Sequence, residues 1–98
     1  MAVEMVLVVF NASIEEEMLE VLGEAGMTCY TKIPGVHGAG TCSEPRLGSH
    51  VWPGTNTMYL IVLDSGQRAR ILEAVRKMKE IHREEGVSAF VLPVATAI

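Results

Sequence analysis

Hydrophobic residues in this chain follow two different periods, and the changes between them divide it into six predicted elements. Four segments predict β-strands because β-branched and other apolar residues dominate them; they are 3–10, 27–33, 55–63 and 87–94. Pro93, near the end of the last segment, has no backbone donor and therefore favours an edge strand.

The two remaining segments have the 3.6-residue period of an amphipathic helix. Ser13 and Glu16 form the pattern of a capping box, which predicts a first helix that begins there and ends at Gly26. Asp64 or Ser65 is expected to cap the second helix, which ends at Gly86. The apolar stripes are Ile14, Met18, Leu19 and Leu22 in the first helix and Ile71, Leu72, Val75 and Met78 in the second.

The order of these elements is β-α-β-β-α-β, the split βαβ arrangement of ferredoxin-like folds. Right-handed crossovers place both helices on the same face of a four-stranded antiparallel sheet. The predicted class is therefore an α+β sandwich of two layers. A length of 98 residues fits one domain over residues 1–98.

The predicted strands are apolar on both faces, which a two-layer domain does not require. The third strand shows this in two alternating sets, which are Tyr59, Ile61 and Leu63 on one face and Met58, Leu60 and Val62 on the other. A sheet with one wet face should alternate apolar with polar residues. Burial of one such side chain is worth roughly 1.5–3 kcal/mol, so we expect other subunits to cover the second face. The pattern predicts a homo-oligomer.

Segment 34–54 separates the second and third strands with about twenty residues, where a hairpin usually needs two to five. Its glycines and prolines leave neither a helical nor a strand period. Long loops with reactive side chains are usually functional, so this one is predicted to fold over a ligand or a partner. Its interaction chemistry resides in His37, Cys42, Glu44, Arg46, His50 and Trp52.

Imidazole and thiol groups of this loop form a candidate metal site. His37, Cys42 and His50 are the proposed ligands, with the Glu44 carboxylate as a further donor. Their spacing matches no zinc pattern such as C-x-x-C or H-E-x-x-H, and the alternative is that each is an unpaired loop residue. Cys29, inside a predicted strand, is expected to be a small core residue.

Arg46 and Trp52 are the other candidate binding residues of the loop. A guanidinium pairs with phosphate or carboxylate, and a tryptophan stacks on a ligand or anchors a subunit boundary. Gly35 and Gly38 allow close approach of the backbone to a ligand. The sequence contains no G-x-S-x-G, G-x-x-x-x-G-K or H-E-x-x-H motif, so we expect a binding protein rather than an enzyme.

Charge and composition narrow the class of partner. The net charge of −4 argues against nucleic acid. No apolar run has the length of a membrane span or of a signal peptide, which predicts a cytoplasmic protein with reduced cysteines and no direct membrane insertion. Acidic residues concentrate in the first helix and basic residues in the second. Either the two helices complement each other or the basic helix docks an acidic partner.

Three stretches resemble the PII signal-transduction superfamily, in particular a PII-like branch labelled nitrogen regulatory proteins. They are Pro34-Gly35-Val36-His37-Gly38, the run from Leu47 to Asn56, and 89–94 at the end of the chain. Together with the order of elements, this resemblance covers nearly the whole chain. It implies a homotrimer whose sheets line a central core, with the long loop docking on a membrane transporter or an enzyme.

The resemblance also implies a small-molecule effector in clefts between subunits, near the base of the loop. In PII proteins proper the effectors are adenine nucleotides and 2-oxoglutarate, and several members of the PII-like branch are associated with heavy-metal efflux. An adenine nucleotide or a divalent metal is therefore the implied cofactor. The implied cleft is lined by Gly35, His37, Gly38, Arg46, His50 and Trp52.

One departure from the PII pattern concerns the nucleotide phosphates. PII proteins grip them with a glycine-rich basic loop between the second helix and the last strand, whereas Glu84-Glu85-Gly86-Val87 is short and acidic here. Acidic side chains repel phosphates, which argues against ATP bound in the PII manner. Two alternatives remain. One is a metal-binding tolerance protein of related fold, and the other is a small dimeric α/β-barrel enzyme with His37 or His50 as general base.

Overall fold

A computed structural model describes residues 3–38 and 55–98 of the chain. The predicted β-α-β-β-α-β order is confirmed. The strands are β1 (Val3–Asn11), β2 (Thr31–Val36), β3 (Asn56–Asp64) and β4 (Ser88–Pro93), and the helices are α1 (Glu15–Glu24) and α2 (Arg68–Ile81). Short 3-10 turns at Ala12–Ile14, Ser65–Gln67 and Arg83–Glu85 adjoin the helices.

The four strands form one sheet in the order β2-β3-β1-β4, and each neighbouring pair is antiparallel. This topology confirms the predicted ferredoxin-like α+β class. β1 and β3 are central, whereas β2 and β4 are the edge strands of the sheet that the described residues form. Pro93 therefore lies on an edge strand, where its missing N–H disrupts no central ladder.

The hydrophobic core lies between the helices and one face of the sheet, here called the inner face. Val6 and Val8 of β1 lie opposite Ile61 and Tyr59 of β3, and all four side chains are buried. The helices contribute the residues that their 3.6-residue period predicted, apart from Leu19 and Leu72, which are partly buried against the same cluster. Alternate strand positions and one stripe of each helix thus build a continuous core.

The opposite face of the sheet, here called the outer face, is apolar and open to solvent in a single chain. Phe90 of β4 is 58% exposed and Val62 of β3 is 51% exposed. The strand register places Leu7 beside Phe90 and Leu60 across the central pair. The prediction that the strands are apolar on both faces is confirmed.

The start of α1 differs from the prediction. Asn11, and not Ser13, supplies the side-chain cap: its Oδ1 accepts a hydrogen bond from the Ser13 backbone N–H at 2.9 Å. A 3-10 turn follows before α1 begins, and Ile14 at the boundary makes no side-chain cap bond. The capping-box prediction at Ser13–Glu16 was wrong because asparagine caps as well as serine and lies closer to the end of the strand.

β2 also differs, since it begins four residues later than predicted and continues through Pro34 and Gly35. Proline is tolerated there because β2 is an edge strand, and a shift of register between Ile33 and Val36 accommodates the extra residues. Gly35 has a φ of 69°, which only glycine adopts at little cost. The predicted 34–54 loop therefore starts inside the strand.

The boundaries of α2 follow the sequence at one end only. The Asp64 carboxylate accepts from the Gln67 backbone, and the Gln67 side chain accepts from the Asp64 N–H, so the predicted cap at Asp64 is confirmed. The helix ends at Ile81, five residues before Gly86. A 3-10 turn fills the interval, and Gly86 stops it with a φ of 71°.

The acidic residues of α1 and the basic residues of α2 pair with each other less than the sequence suggested. The side chains of Glu17 in α1 and of His82, directly after α2, make a hydrogen bond of 2.9 Å. Arg70 instead donates to the Glu24 backbone carbonyl. None of the helices in these two ranges is long and apolar enough to span a membrane.

Candidate functional site

The base of the long loop contains the part of the sequence-predicted site that lies among the described residues. Gly35 is at the end of β2, and His37, which is exposed, follows it. Gly38 lies against β3, where a Cβ on this residue would come within 3.9 Å of the Asn56 Nδ2. A larger residue at Gly38 would therefore contact that amide. The structure brings these three residues to one end of the β2–β3 pair.

The other predicted site residues, Arg46, His50 and Trp52, lie outside the described residues, as do the candidate metal donors Cys42 and Glu44. Of the proposed metal ligands, His37 alone falls within the described ranges. Residues 3–38 and 55–98 contain no group of three or more side chains suited to hold a metal ion. The metal site stays a prediction.

Asn56 is a buried polar residue at the base of the loop, next to the bulge of β2. It pairs with Asn11 across the sheet and with Val36 on β2. The side chain of Asn56 is almost fully buried, and among the described residues its Oδ1 has no hydrogen-bond partner. A buried amide oxygen left unpaired costs about 1–3 kcal/mol, so this oxygen is an available acceptor at the base of the loop.

A polar cluster, here called the β2 clamp, ties the loop-bearing strand to the start of α1. It consists of Lys32 on β2, Glu15 at the start of α1 and Tyr59 on β3. Lys32 lies 2.9 Å from one Glu15 oxygen, and the Tyr59 hydroxyl donates to that same oxygen at 2.7 Å. The Tyr30 ring lies against the Tyr59 ring at a centroid distance of 4.7 Å, with the two ring planes tilted by 43°. The clamp holds the strand that leads into the loop.

Electrostatics within the β2 clamp keep each group in one protonation state. The hydrogen bond from Lys32 lowers the pKa of Glu15, with smaller help from Tyr59 and against the effect of burial. Burial raises the pKa of Tyr59 well above its usual range, and the Glu15 carboxylate adds to this. Glu15 is therefore the charged acceptor and Tyr59 the neutral donor at physiological pH.

A second candidate site lies at the opposite end of β2 and is here called the β3 crevice. The β2–β3 ladder stops at Thr31 and Leu60, because the chain before Thr31 departs from β3. The opening has a volume of about 20 Å³. Its lining consists of Gly26, Met27, Thr28, Cys29, Ile61, Val62, Leu63, Gln67 and Ile71. In one chain this volume holds a single small group, about the size of a water molecule. The rest of a larger ligand would have to lie outside the opening.

The crevice was not predicted, because 27–33 was interpreted as one continuous strand. Had that pairing continued, Cys29 would lie opposite Val62 and Thr28 opposite Leu63. Instead Gly26 turns the chain with a φ of 105°, and Cys29 is exposed with a free thiol, so its predicted role in the core was wrong. Glycine followed by residues without strict alternation was the signal that could have revealed the break.

Two wider hollows lie on the helical layer. The first, a groove between α1 and α2, has a volume of about 460 Å³, an apolar floor of Val21, Ala25 and Ala74, and charged groups along its rim. The second, of about 340 Å³, is lined by Arg76, Lys79, Glu80 and Arg83. Both are open to solvent.

The connection between α2 and β4 is short, as the sequence indicated. It consists of the 3-10 turn Arg83–Glu85, then Gly86 and the buried Val87. Glu84 and Glu85 both lie in this turn. A long basic segment that could surround phosphate groups is not present in this connection.

A four-stranded antiparallel sheet with two helices on one face and a bare apolar face on the other places the chain in the class of small ferredoxin-like α+β domains. The chain belongs to the family described as nitrogen regulatory protein P-II, whose model matches residues 3–98. No curated protein matches the sequence.

Solved structures share the fold at low sequence identity. CPII from Thiomonas intermedia K12, bound to ADP and bicarbonate, is 17% identical with a TM-score of 0.73, over 98% of this chain and 91% of that one. A putative PII-like signaling protein from Thermus thermophilus is 22% identical with a TM-score of 0.67, over 95% and 86%. B. subtilis GlnK in complex with ATP is 19% identical with a TM-score of 0.70, over 99% and 87%.

Proposed function

We propose that this protein is a trimeric, cytoplasmic PII-like regulator that binds a small effector in clefts between subunits and docks on a partner through the 34–54 loop. The observation that carries the proposal is the outer face of the sheet. Phe90 and Leu92 of β4, Ile33 of β2 and Val62 of β3 are all at least 40% exposed in one chain. Full burial of each of these side chains is worth roughly 1.5–3 kcal/mol, so we propose that the sheets of other copies of the chain pack against this face.

The effector is proposed to bind where two copies meet. The β3 crevice and the base of the loop lie at opposite ends of β2: Gly35 follows Cys29 by six positions, which span at most about 20 Å of extended chain. We therefore propose that a nucleotide takes the crevice from one copy and the loop base from the next. The crevice is too small to enclose a ring, which also fits a half-site completed by a neighbour.

An adenine nucleotide is the proposed effector. CPII and GlnK, which share the fold, have been seen with ADP and with ATP. The lining of the crevice combines apolar side chains with the polar groups of Thr28 and Gln67, which suits the edge of a flat heterocycle. The short acidic connection after α2 does not favour a triphosphate, so ADP or a less charged adenine compound is preferred over ATP.

The β2 clamp is proposed to link effector binding to the loop. Lys32 and Tyr59 hold β2 against Glu15, and the 34–54 loop follows that strand directly. A ligand that contacts either end of β2 would change the order of the loop and so its docking on a transporter or an enzyme.

The mass of the purified protein, measured by light scattering across a range of concentrations, tests the assembly. A trimer at micromolar concentration is expected, and a stable monomer would contradict the proposal. Calorimetry with ADP, with and without bicarbonate, tests the effector. Hydrogen exchange of the loop with the same ligands should show greater protection on binding, and unchanged exchange would count against the regulatory role.

The barrel-enzyme alternative is not favoured by the packing. It needs an apolar chamber inside each subunit, but the space between the sheet and the helices is filled by fully buried side chains such as Phe10, Met18 and Met78. The metal-binding alternative is tested by titration with copper and zinc, using His37→Ala and His50→Ala. Binding that depends on both histidines would favour it over the nucleotide sensor.

A further inference from the structure

We propose that the basic end of α2 is a docking surface for an acidic peptide segment of a partner protein, separate from the 34–54 loop. This surface, here called the α2 basic patch, consists of Arg76, Lys79 and Arg83, with Glu80 among them. All four residues are exposed and line one open hollow of about 340 Å³. The inference goes beyond the proposed function, because it requires neither the effector nor the trimer.

Spacing along the chain places the three cations on one side of α2. Arg76 and Lys79 are three residues apart, and Arg83 follows four residues later in the turn after the helix. Side chains with these spacings are neighbours on a helix surface. At a rise of about 1.5 Å per residue, Arg76 and Arg83 are about 10 Å apart along the helix axis. The patch therefore offers two guanidinium groups with an ammonium group between them.

The carboxylates of the chain leave the α2 basic patch largely unpaired. Among the described residues, its one ion pair joins Arg76 to Glu73 at 3.6 Å, and the Arg76 side chain is still 70% exposed. Lys79 and Arg83 make no ion pair with a described residue. Glu80 has the helical spacing to reach both Arg76 and Arg83, yet it pairs with neither of them. The cations are thus available to carboxylates from another molecule.

The acidic helix α1 does not cover these cations. Among the described residues that line the hollow, none belongs to α1. Two of its carboxylates have other partners, since Glu15 pairs with Lys32 and Glu17 hydrogen-bonds His82. The sequence left open whether the two helices complement each other or the basic helix docks an acidic partner. For this end of α2, the contacts favour the acidic partner.

The charges around the patch favour a peptide over other anions. Nucleic acid needs a broad basic face, whereas this chain has a net charge of −4 and the hollow includes the Glu80 carboxylate. Anionic membranes recruit clusters of roughly four to eight basic residues, more than this patch contains. A peptide can place carboxylates opposite Arg76 and Arg83 and a basic residue opposite Glu80. About three residues of extended chain span 10 Å, so its acidic residues should be three positions apart.

A short fluorescent peptide tests this match by anisotropy. It contains aspartates three positions apart with a lysine between them, and two peptides of the same length are the controls. One control has asparagine in place of each aspartate, and the other has the same composition with the aspartates adjacent. Only the first peptide should bind well, because the patch needs both the charge and the spacing.

A matched pair of variants assigns the binding to the patch. Arg76→Gln with Arg83→Gln removes two of its charges, whereas Arg70→Gln with Lys77→Gln removes the same charge from the side of α2 that faces the groove. All four residues are exposed, so both variants should fold, which circular dichroism verifies. We expect the patch variant to bind the probe at least about tenfold more weakly than the parent, and the control variant less than about threefold. Added salt should weaken binding by the parent.

Equal losses in the two variants, or equal binding of the probe and the adjacent-aspartate peptide, would overturn the proposal. So would tighter binding of duplex DNA or of phosphatidylserine vesicles that the patch variant loses, since the partner would then be that anion. Salt-sensitive self-association that the patch variant abolishes would make a second copy the occupant instead. A trimer that does not bind the probe would overturn this inference alone, whereas a monomer that binds it would overturn the trimer alone.

Discussion

The two faces of the sheet have nearly the same hydrophobicity but different surroundings. On β3, Ile61 is 2% exposed under the helices, whereas its neighbour Val62 is 51% exposed on the outer face. The inner face is explained by the chain itself, because α1 and α2 cover it. No element of the described chain explains the outer face in the same way. Apolar residues of a single strand can therefore serve folding on one face and assembly on the other.

The largest difference between the faces is expected from truncation of Ile61. Ile61→Ala removes buried methyl groups from a packed core and should lower the free energy of unfolding by about 2–5 kcal/mol at any protein concentration. Denaturant unfolding at two concentrations measures this. Val62→Ala is the matched control on the other face, and its smaller cost should grow with protein concentration if assembly buries it. Equal, concentration-independent costs would remove the distinction between the faces.

A charge placed on the outer face should break assembly while the fold survives. Leu7 is opposite Leu60 and Phe90 at the centre of this face. Leu7→Lys would bury an unpaired ammonium between subunits, so we expect dissociation at concentrations at least tenfold higher than for the parent. Ultracentrifugation measures this, with retained circular dichroism showing that the chain is folded. Ala69→Lys adds the same charge on the exposed helical layer and should leave the mass unchanged.

A moderate loss of stability is expected when the polar contact of Tyr59 on the inner face is removed. Tyr59→Phe removes the hydroxyl that donates to Glu15 and keeps the ring beside Phe10 and Tyr30. We expect a loss of about 1 kcal/mol in unfolding free energy, because Glu15 keeps Lys32 and some access to water. Loop hydrogen exchange should rise in the same variant, since β2 loses part of its attachment. An unchanged loop would show that the clamp has no role beyond stability.

The smallest expected effect is the pH dependence of the stability that the β2 clamp contributes. The pKa of Glu15 is lowered in the folded state from its ordinary value of 4.5, so its ionised form stabilises the fold above that value. This contribution is lost as the pH falls below 4.5 through the lowered pKa. The difference in unfolding free energy between the parent and Glu15→Gln should therefore shrink from pH 7 to pH 3. A difference that stays constant over this range would mean that Glu15 titrates alike in both states.

The sequence predicted the order and type of all six elements because their periods are strong and their boundaries contain glycine or a capping residue. It placed the core stripe of α2 correctly, since Ile71, Val75 and Met78 are buried. It misplaced β2, because residues 27–30 have the composition of a strand but leave the ladder after Gly26. Composition alone does not show where pairing ends.

The candidate site was predictable only in part. Gly35, His37 and Gly38 lie together as the loop position suggested, while Arg46, His50 and Trp52 lie outside the described residues. The β3 crevice escaped prediction because it depends on the absence of pairing between two segments that are far apart in the chain. The β2 clamp escaped too, since Glu15, Lys32 and Tyr59 come from three elements and meet only in the folded chain. Long-range proximity of this kind follows from topology.

The open edges of the sheet decide how copies of this chain can join. β2 has Lys32 on one edge and β4 has Pro93 on the other, and both residue types discourage the addition of further strands. A continuous sheet that grows from copy to copy, as in a fibril, is thereby disfavoured. A concentrated solution of this small apolar domain should consequently form finite particles instead of fibres.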